Sequence, residues 1–350
     1  MSPWIFLRFL FLPAIAIAGN FWGGWWTFSI PIICFVIHPI TNLLSGANFS
    51  RGDDDEHGQY DKSLYRLVPL LFVPVLAGVT IWSTIQSDHN TPVEFAGMFF
   101  SVGIVNGILG FTLAHEFIHR HNWREKIAGH LLLLQNSYPY YGIEHIGGHH
   151  LYACTTKDPH TARLGESIYE FLPRAVAFTF RNAWEIESNR LKRRNKKVMS
   201  WHNRMLLLLL LQFFCFLIII AFAGEKPFVF FMCQSAVSIV LLNITGYLQH
   251  YGLARKHFGE GQFEKISAHH AWSSRPGKDG LNLFQVGKHA DHHMHPSHTY
   301  DQLVHQHDSP VQPTGYSGMM WLALVPPLWF KIMNKRIILF TTKSLQHETV

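Results

Sequence analysis

Six long runs of uncharged, apolar residues constrain this chain more than any other feature of its sequence. In the clearest run, residues 205–224, Gln212 is the only polar side chain. A helix needs about 20 apolar residues to cross a bilayer, and it satisfies its own backbone hydrogen bonds there. The sequence therefore predicts an all-α integral membrane protein with six transmembrane helices in three hairpins. The predicted spans are residues 4–19, 21–40, 64–85, 94–115, 204–224 and 228–249.

The distribution of Lys and Arg around these runs predicts the orientation of the chain. The connections at 19–20, 86–94 and 225–227 contain a single Lys and no Arg, whereas residues 181–204 carry eight basic residues. Cytoplasmic loops of membrane proteins are enriched in Lys and Arg. We therefore expect both termini and the basic stretch in the cytoplasm. The formal charge of +6 is explained in the same way, and we expect no nucleic-acid partner.

Histidine is the second unusual feature, since a chain with only 15% charged residues contains 24 of them. Four segments stand out, namely 115–119 (His-Glu-Phe-Ile-His), 144–150 (Glu-His-Ile-Gly-Gly-His-His), His250, and 289–293 (His-Ala-Asp-His-His). Nine imidazoles exceed the four ligands that a zinc ion takes, and they suit two metals with four or five ligands each. Imidazole binds Fe, Cu, Zn and Ni, so the spacing alone does not name the metal.

The spacing within the segments predicts which imidazoles point at the same ion. Residues i and i+4 share a face of an α-helix. We therefore expect His115 to pair with His119, and His145 to pair with His149. Carboxylates often orient metal-bound imidazoles, which makes three acidic residues beside these histidines candidates for that role. These residues are Glu116, Glu144 and Asp291.

Two other classes of protein share part of this pattern. Residues 115–119 also match the zinc metalloproteases, in which Glu116 would be the general base. Such an enzyme needs one further ligand, which leaves most of the other clustered histidines unexplained. A metal transporter would place its ligands at mid-membrane depth, whereas these segments lie at the ends of spans or between them.

The histidine segments and the sequences around them resemble the membrane alkane monooxygenases, the AlkB family of alkane 1-hydroxylases. Residues 243–253 (Asn-Ile-Thr-Gly-Tyr-Leu-Gln-His-Tyr-Gly-Leu) contain His250. Residues 158–163 (Asp-Pro-His-Thr-Ala-Arg), 165–167 (Gly-Glu-Ser) and 171–174 (Phe-Leu-Pro-Arg) look like the stretch that follows the second histidine box of that family. Residues 324–330 (Leu-Val-Pro-Pro-Leu-Trp-Phe) are similar to its C-terminal segment.

The resemblance implies two non-haem iron ions held by nine histidines, with no catalytic residue beyond the metal centre. The implied ligands are His115, His119, His145, His149, His150, His250, His289, His292 and His293. It implies a single domain over residues 1–350, with cytoplasmic cap segments at 116–203 and 250–350, in a bacterial inner membrane. It also implies O2 as co-substrate, and electrons from rubredoxin and an NADH-dependent rubredoxin reductase.

The implied reaction is terminal hydroxylation of medium-chain n-alkanes to primary alcohols. Fatty-acyl desaturases or hydroxylases and xylene-type monooxygenases share the histidine pattern and remain alternatives. Because alkanes partition into the bilayer, we expect the substrate to enter between the spans, where Phe99, Phe100, Asn106 and Phe111 are candidate lining residues. The basic residues 190–197 are a candidate docking surface for an acidic rubredoxin.

Overall fold

A computed structural model of the chain describes residues 2–44, 61–274 and 283–348. The helices in these ranges are α1 (Pro3–Trp22), α2 (Gly24–Asn42), α3 (Lys62–His89), α4 (Pro92–Ile118), α5 (Trp123–Gln135), α6 (141–152), α7 (Ile168–Arg193), α8 (Arg204–Ala223), α9 (Glu225–His250), α10 (His289–Met294), α11 (Tyr316–Ala323) and α12 (Pro326–Glu348). A short antiparallel hairpin, β1 (His257–Gly259) and β2 (Gln262–Phe263), follows α9. Two 3₁₀ segments, Ala268–His270 and Leu283–Lys288, lie before α10.

Six of these helices, α1 to α4 together with α8 and α9, are long and apolar enough to cross a membrane. The predicted all-α membrane fold with six spans is therefore confirmed. The arrangement in three hairpins, the single domain over the whole chain, and the cytoplasmic position of the cap stay predictions. Parts of the predicted cap, 275–282 and 349–350, lie outside the described residues.

Local capping sets where the spanning helices begin and end. At the start of α4, the Thr91 side chain accepts a hydrogen bond from the backbone of Glu94, and the Glu94 carboxylate accepts one from the backbone of Thr91. This capping box satisfies free N–H groups in the first turn. The glycines Gly23 and Gly224, with φ of 70° and 102°, occupy the tight connections before α2 and α9. The predicted span at 94–115 is shorter than α4. The span is predicted from its apolar residues, whereas a helix extends through polar residues to its caps.

Helix α4 lies at the centre of the bundle. Of the residues in its apolar stretch, 67% are buried, compared with 11% in α8. Gly103 and Gly107 allow α4 to approach α9, because a Cβ on Gly103 would lie 2.6 Å from the Val237 Cβ, and one on Gly107 would lie 2.9 Å from the Leu241 Cδ1. Small residues of this spacing are typical of close helix packing in membranes.

A buried polar network links α4 to three other helices. The Asn106 amide nitrogen donates to the Thr80 hydroxyl and to the Gln234 side-chain oxygen, both at 2.9 Å. The Gln135 amide donates to the Asn106 side-chain oxygen at 2.8 Å. Asn106 therefore fixes α3, α4, α5 and α9 relative to one another, and Phe111 is packed in the central core. That these two residues line a substrate route stays a prediction.

A second apolar cluster holds the end of α9. Tyr247 packs against Phe171 of α7 and Trp329 of α12, with ring centroids 5.2 and 5.1 Å apart. Tyr251 also contacts Trp329, at 5.1 Å. Because these rings are buried around the last turn of α9, they fix the position of His250 at its end.

Candidate metal centre

Four helices bring the nine predicted ligands together. Helix α4 ends at Ile118 and carries the first histidine segment, α6 the second, α9 ends in His250, and α10 carries the last. Two of the helices contain π-helical turns, at Asn106–Gly110 in α4 and at His145–His149 in α6. A π turn hydrogen bonds from residue i to i+5 and is common at functional sites.

The nine imidazoles separate into two groups. In each group one ring nitrogen per residue lies within 4.8 Å of the corresponding nitrogens of the others. We call them the five-histidine group and the four-histidine group. The five-histidine group is His115, His119, His145, His150 and His292, and the four-histidine group is His149, His250, His289 and His293.

The division corrects one of the predicted pairs. His145 and His149 belong to different groups, and His145 shares its group with His150 instead. The reason is the π turn in α6, which places residues i and i+5 on the same face rather than i and i+4. The pair of His115 and His119, which is not in a π turn, does share a group.

The five-histidine group is organised by short contacts between Nε2 atoms. These atoms lie 3.1 Å apart between His119 and His145, 3.0 Å between His145 and His150, and 3.1 Å between His150 and His292. The Nε2 of His115 is buried and has no hydrogen-bond partner. A buried nitrogen lone pair without a partner is costly unless a cation accepts it.

The four-histidine group contains a triangle of Nε2 atoms. The His289 and His293 atoms are 2.9 Å apart, and they lie 3.1 and 3.2 Å from the His250 atom. The His149 ring lies beside them, with its centroid 4.8 Å from that of His293. Two imidazole nitrogens bound at right angles to one ion, each at about 2.1 Å, are about 3.0 Å apart. The spacing in both groups therefore fits a shared cation.

Burial favours the neutral, metal-binding form of six of these imidazoles, and His149 is the exception. Burial, with nearby His149 and Arg120, lowers the pKa of His119 to about 4. In His149, burial lowers the pKa, but the Asp158 carboxylate raises it by more, so that the pKa lies above its usual value. Burial, reinforced by neighbouring imidazoles, holds the pKa well below its usual value in His145, His150, His289, His292 and His293. A metal-binding imidazole must be unprotonated.

Comparison with known proteins identifies the family. The profile of the fatty acid desaturase family matches residues 91–323. Alkane 1-monooxygenase 1 of Pseudomonas aeruginosa is 34% identical over 349 residues, which is 95% of this chain and 90% of that protein. Alkane 1-monooxygenase 2 of Alcanivorax borkumensis is 38% identical over 324 residues, or 89% of this chain and 83% of that protein. The chain belongs to the alkane 1-monooxygenase family.

Family membership confirms the resemblance inferred from the histidine segments and the assignment as an oxidoreductase that uses O2. A more distant relative, the hydroxylase component XylM of xylene/toluene monooxygenase from Pseudomonas putida, is 24% identical over 341 residues. The aligned region covers 94% of this chain and 88% of that protein. The matched range of the fatty acid desaturase profile, 91–323, includes every histidine of both groups.

The carboxylate next to the first histidine segment has other partners in this member of the alkane 1-monooxygenase family. The Glu116 carboxylate pairs with the Arg120 guanidinium at 2.5 Å and accepts a hydrogen bond from the backbone N–H of Tyr300 at 3.1 Å. A metalloprotease needs this glutamate free to take a proton from a metal-bound water. The position of Glu116 is therefore that of a structural residue, which argues against the protease alternative.

The other two predicted carboxylates also bind outside the two groups. The Glu144 carboxylate is buried and lies 3.3 Å from the Nε2 of His160. The Asp291 carboxylate faces the Nδ1 atoms of His295 and His298, at 3.0 and 3.4 Å. The expectation that carboxylates adjacent in sequence orient the nine imidazoles is thus corrected.

The carboxylate that does contact one of the nine histidines is Asp158. Its Oδ2 lies 3.0 Å from the Nδ1 of His149 and accepts a hydrogen bond from the Thr161 hydroxyl at 2.6 Å. In the sequence, Asp158 stands out only as part of the Asp-Pro-His-Thr-Ala-Arg segment, and no ligand spacing assigns it a role. The signal in that segment is the combination of Asp and Thr three residues apart, which can form a local turn.

Two further ring nitrogens have neutral partners. The Tyr141 hydroxyl lies 3.1 Å from the Nδ1 of His145, one turn away on α6. The Nδ1 of His250 lies 3.0 Å from the backbone carbonyl oxygen of His270, and the Cys154 Sγ is 3.5 Å from the same nitrogen. These contacts fix the orientation of each ring and leave its Nε2 directed into the group.

In this family member an apolar cavity lies between α2, α4 and α9, and two of its lining residues are close in sequence to the histidine segments. Thr112 lies three residues before His115, and Val286 lies three residues before His289. The lining side chains include Phe35, Ile108, Thr112, Leu241, Val286 and Met320. The predicted lining residues Phe99 and Phe100 pack against each other elsewhere on α4, with ring centroids 4.5 Å apart.

Proposed function

We propose that this chain is a di-iron monooxygenase that converts medium-chain n-alkanes to primary alcohols. The observation that carries the proposal is the convergence of nine imidazoles, in groups of five and four, beside an apolar cavity between the spans. The relatives named alkane 1-monooxygenase support the choice of substrate. One alkane, one O2, two electrons and two protons give one alcohol and one water.

The nine histidines of the two groups would hold the two iron ions. Bound iron would supply the activation of O2 that attack on a C–H bond requires and that no side chain can provide. The protein's own contribution is orientation. Asp158 and Tyr141 hold the Nδ1 edges of His149 and His145, so that their Nε2 atoms stay directed inward.

The cavity between the spans would position the substrate. The surface of the cavity is mainly apolar although His38 and Ser274 also line it, and an alkane chain would lie against Ile108, Leu241 and Met320. The Thr112 hydroxyl donates to the backbone carbonyl of Ile108 at 2.6 Å and is therefore satisfied within its own helix. A chain lying along this cavity would present its end methyl near His115, and this placement accounts for terminal selectivity.

Electrons would come from rubredoxin docked on the cytoplasmic face of an inner-membrane protein. The C-terminal end of α7 and the residues after it carry an exposed basic surface of Arg193, Arg194, Lys196 and Lys197. Neighbouring cations are already paired, because the buried Glu187 carboxylate lies 2.6 Å from Arg190 and 2.8 Å from Arg204. An acidic partner would therefore meet four cations that form no ion pair with another described residue, and its binding would weaken with added salt. NADH-dependent rubredoxin reductase would in turn reduce that rubredoxin.

The central test is turnover by the purified protein with rubredoxin, its reductase and NADH, given octane under isotopically labelled O2. We expect one labelled oxygen atom in 1-octanol and two iron ions per chain. Label or a new double bond in an acyl lipid, with none in octanol, would support the fatty-acid alternative. Preferential label in the benzylic alcohol of xylene would support the xylene alternative, and a single zinc without iron would contradict the di-iron centre.

The cavity is tested by narrowing it. Replacing Thr112 by Ile keeps a β-branched side chain and adds apolar volume beside His115, so we expect the preferred alkane to become shorter. Thr342→Ile is the matched control, because Thr342 makes the same bond to a carbonyl four residues earlier, at 2.8 Å, on the exposed face of α12. An unchanged chain-length profile in Thr112→Ile, with the iron content retained, would contradict this assignment of the cavity.

A further inference from the structure

A third cluster of potential ligands lies at the C-terminal end of α10, apart from the two histidine groups. It consists of Asp291, His295 and His298, with one ligand atom from each residue within 4.8 Å of the others. None of the three belongs to the five-histidine or the four-histidine group. We propose that this cluster is a separate binding site for a divalent transition-metal ion of the zinc type.

The geometry of the two imidazoles favours a shared ligand. The Nδ1 of His295 lies 3.0 Å from one carboxylate oxygen of Asp291, and the Nδ1 of His298 lies 3.4 Å from the other. Their rings are stacked, with centroids 4.6 Å apart and planes inclined by 16°. Both Nδ1 edges therefore face one point at the carboxylate. Two ligands of a tetrahedral zinc ion, each at about 2.1 Å, are about 3.4 Å apart, which is close to both distances.

The environment of Asp291 identifies the charge that is missing. Its carboxylate is completely buried and accepts hydrogen bonds from the Gln306 amide at 2.7 Å and from the backbone N–H of Val304 at 3.3 Å. Within the described part of the chain, the basic side chains in ion-pair range of it are the two histidines, with no Lys or Arg. A buried carboxylate needs a positive partner, and a cation between the three ligand atoms would supply it.

The donor set indicates the class of ion. Two imidazoles and one carboxylate, with positions left for water, suit zinc and neighbouring divalent metals rather than magnesium or calcium. The side chains of His295 and His298 are 45% and 39% exposed, so that an ion can reach the site from solvent. In the bound form each Nδ1 would lose its proton, and the exposed Nε2–H groups would remain directed to water.

The position of the site gives it a consequence for the main centre. Asp291 lies in α10, the helix that carries His289, His292 and His293. A cation that ties Asp291 to His295 and His298 would anchor the C-terminal end of this six-residue helix. The site would therefore be structural, and occupancy of it would hold three of the nine histidines in place.

Zinc binding by the purified, iron-loaded full-length protein tests the proposal. After incubation with Zn²⁺ and removal of loosely bound ions, we expect one zinc per chain in addition to iron. In the double variant His295→Ala/His298→Ala, we expect the zinc affinity to fall by more than about 100-fold. Removal of a residue that only contacts a metal ligand costs up to about 100-fold, and removal of two ligands should cost more. His257→Ala, which removes an exposed histidine outside the cluster, should bind zinc as the wild type does.

Zinc-edge X-ray absorption then identifies the ligands. Two imidazoles and a carboxylate are expected, whereas four or five imidazoles would mean that zinc had entered one of the main groups, and this would overturn the proposal. It would also fail if the wild type bound no zinc, or if the wild type and the double variant bound it equally well. Iron content reports whether the double variant is folded, and should that variant lose its iron, the single variant His298→Ala takes its place in the same comparison.

Discussion

The two histidine groups differ in how far they are enclosed. All four members of the four-histidine group are buried, whereas His115, His119 and His150 of the five-histidine group are only partly buried. The four-histidine group is formed where the ends of α9 and α10 meet α6, beneath the aromatic cluster around Trp329. The five-histidine group is therefore the one that a substrate or solvent molecule can approach, and the four-histidine group is the rigid side of the centre.

The two groups also differ in what supports their rings from outside. In the four-histidine group, His149 faces the Asp158 carboxylate and His250 faces a backbone carbonyl. In the five-histidine group, the outer partner is the Tyr141 hydroxyl on His145. Each group also has one buried Nδ1 without a partner among the described residues, in His150 and in His293. A carboxylate on one side strengthens an imidazole as a ligand more than a hydroxyl does. The four-histidine group should thus hold its metal ion more tightly.

Removing one ligand from each group tests this difference most severely. His250→Ala leaves three imidazoles in its group, whereas His119→Ala leaves four. We expect His250→Ala to lose one iron ion per chain and to lower hydroxylation by more than about 100-fold. Removal of a metal ligand should cost more than removal of a residue that only contacts a ligand, which costs up to about 100-fold. His119→Ala should retain more of its iron, measured as iron per chain after dialysis. Equal loss in the two variants would contradict the expectation that the group left with fewer imidazoles loses its iron more readily.

The next largest expected effect is that of the Asp158 carboxylate on iron binding in the four-histidine group. Asp158→Asn preserves the shape of the side chain and removes the negative charge beside His149, so we expect about 10-fold weaker iron binding in the four-histidine group. Chelator competition measures this. Glu185→Gln is the control, because it removes a negative charge from an exposed pair with Arg181 and should have no effect. An iron affinity that is unchanged in Asp158→Asn would show that charge at this position does not matter.

The sequence predicts the spans and the ligand set better than it predicts the internal order of the site. Long apolar runs determine spanning helices directly, since the bilayer requires them. Helices α7 and α12 were not predicted, because neither contains a long apolar run and their buried faces are set by tertiary packing against α9. The nine histidines are recognisable from their spacing and from the family resemblance.

The division of those histidines into groups depends on a feature that spacing cannot reveal. A π turn at His145–His149 changes the partner of His145 from His149 to His150. The turn contains two glycines at crowded positions, since a Cβ on Gly147 would lie 3.0 Å from Ile186 Cγ2 and one on Gly148 would lie 2.5 Å from Glu144 Oε1. Such contacts exist only in the folded chain. The same is true of Asp158, whose partner His149 lies across a loop.

The Tyr141 hydroxyl beside the five-histidine group should contribute less to iron binding than the Asp158 carboxylate beside the four-histidine group. Tyr141→Phe removes one neutral hydrogen bond to His145, worth about 1 kcal/mol, and should weaken iron binding in the five-histidine group by about 5-fold. Tyr140→Phe is a matched control, since the Tyr140 ring packs against Tyr138 and Phe180 without contacting any of the nine histidines. A loss larger than that of Asp158→Asn would reverse the proposed order of the two outer contacts.

The smallest expected effect concerns the sulfur beside the four-histidine group. Cys154 places its Sγ 3.5 Å from the Nδ1 of His250 and donates to the His270 carbonyl oxygen at 2.9 Å. Sulfur is a weak acceptor, and the carbonyl at 3.0 Å already accepts from the same nitrogen. Cys154→Ala should therefore change iron affinity by less than about 2-fold, because one weak contact is lost from a ring that keeps its main partner.

The control for this variant is Cys34→Ala, which truncates an equally buried thiol in the span region and carries the same cost of an internal cavity. Both variants should lose similar thermal stability, and neither should lose iron. If Cys154→Ala alone released iron from the protein, the thiol would be the group that orients His250. The rigidity of the four-histidine group would then depend on sulfur as well as on the carboxylate and the carbonyl.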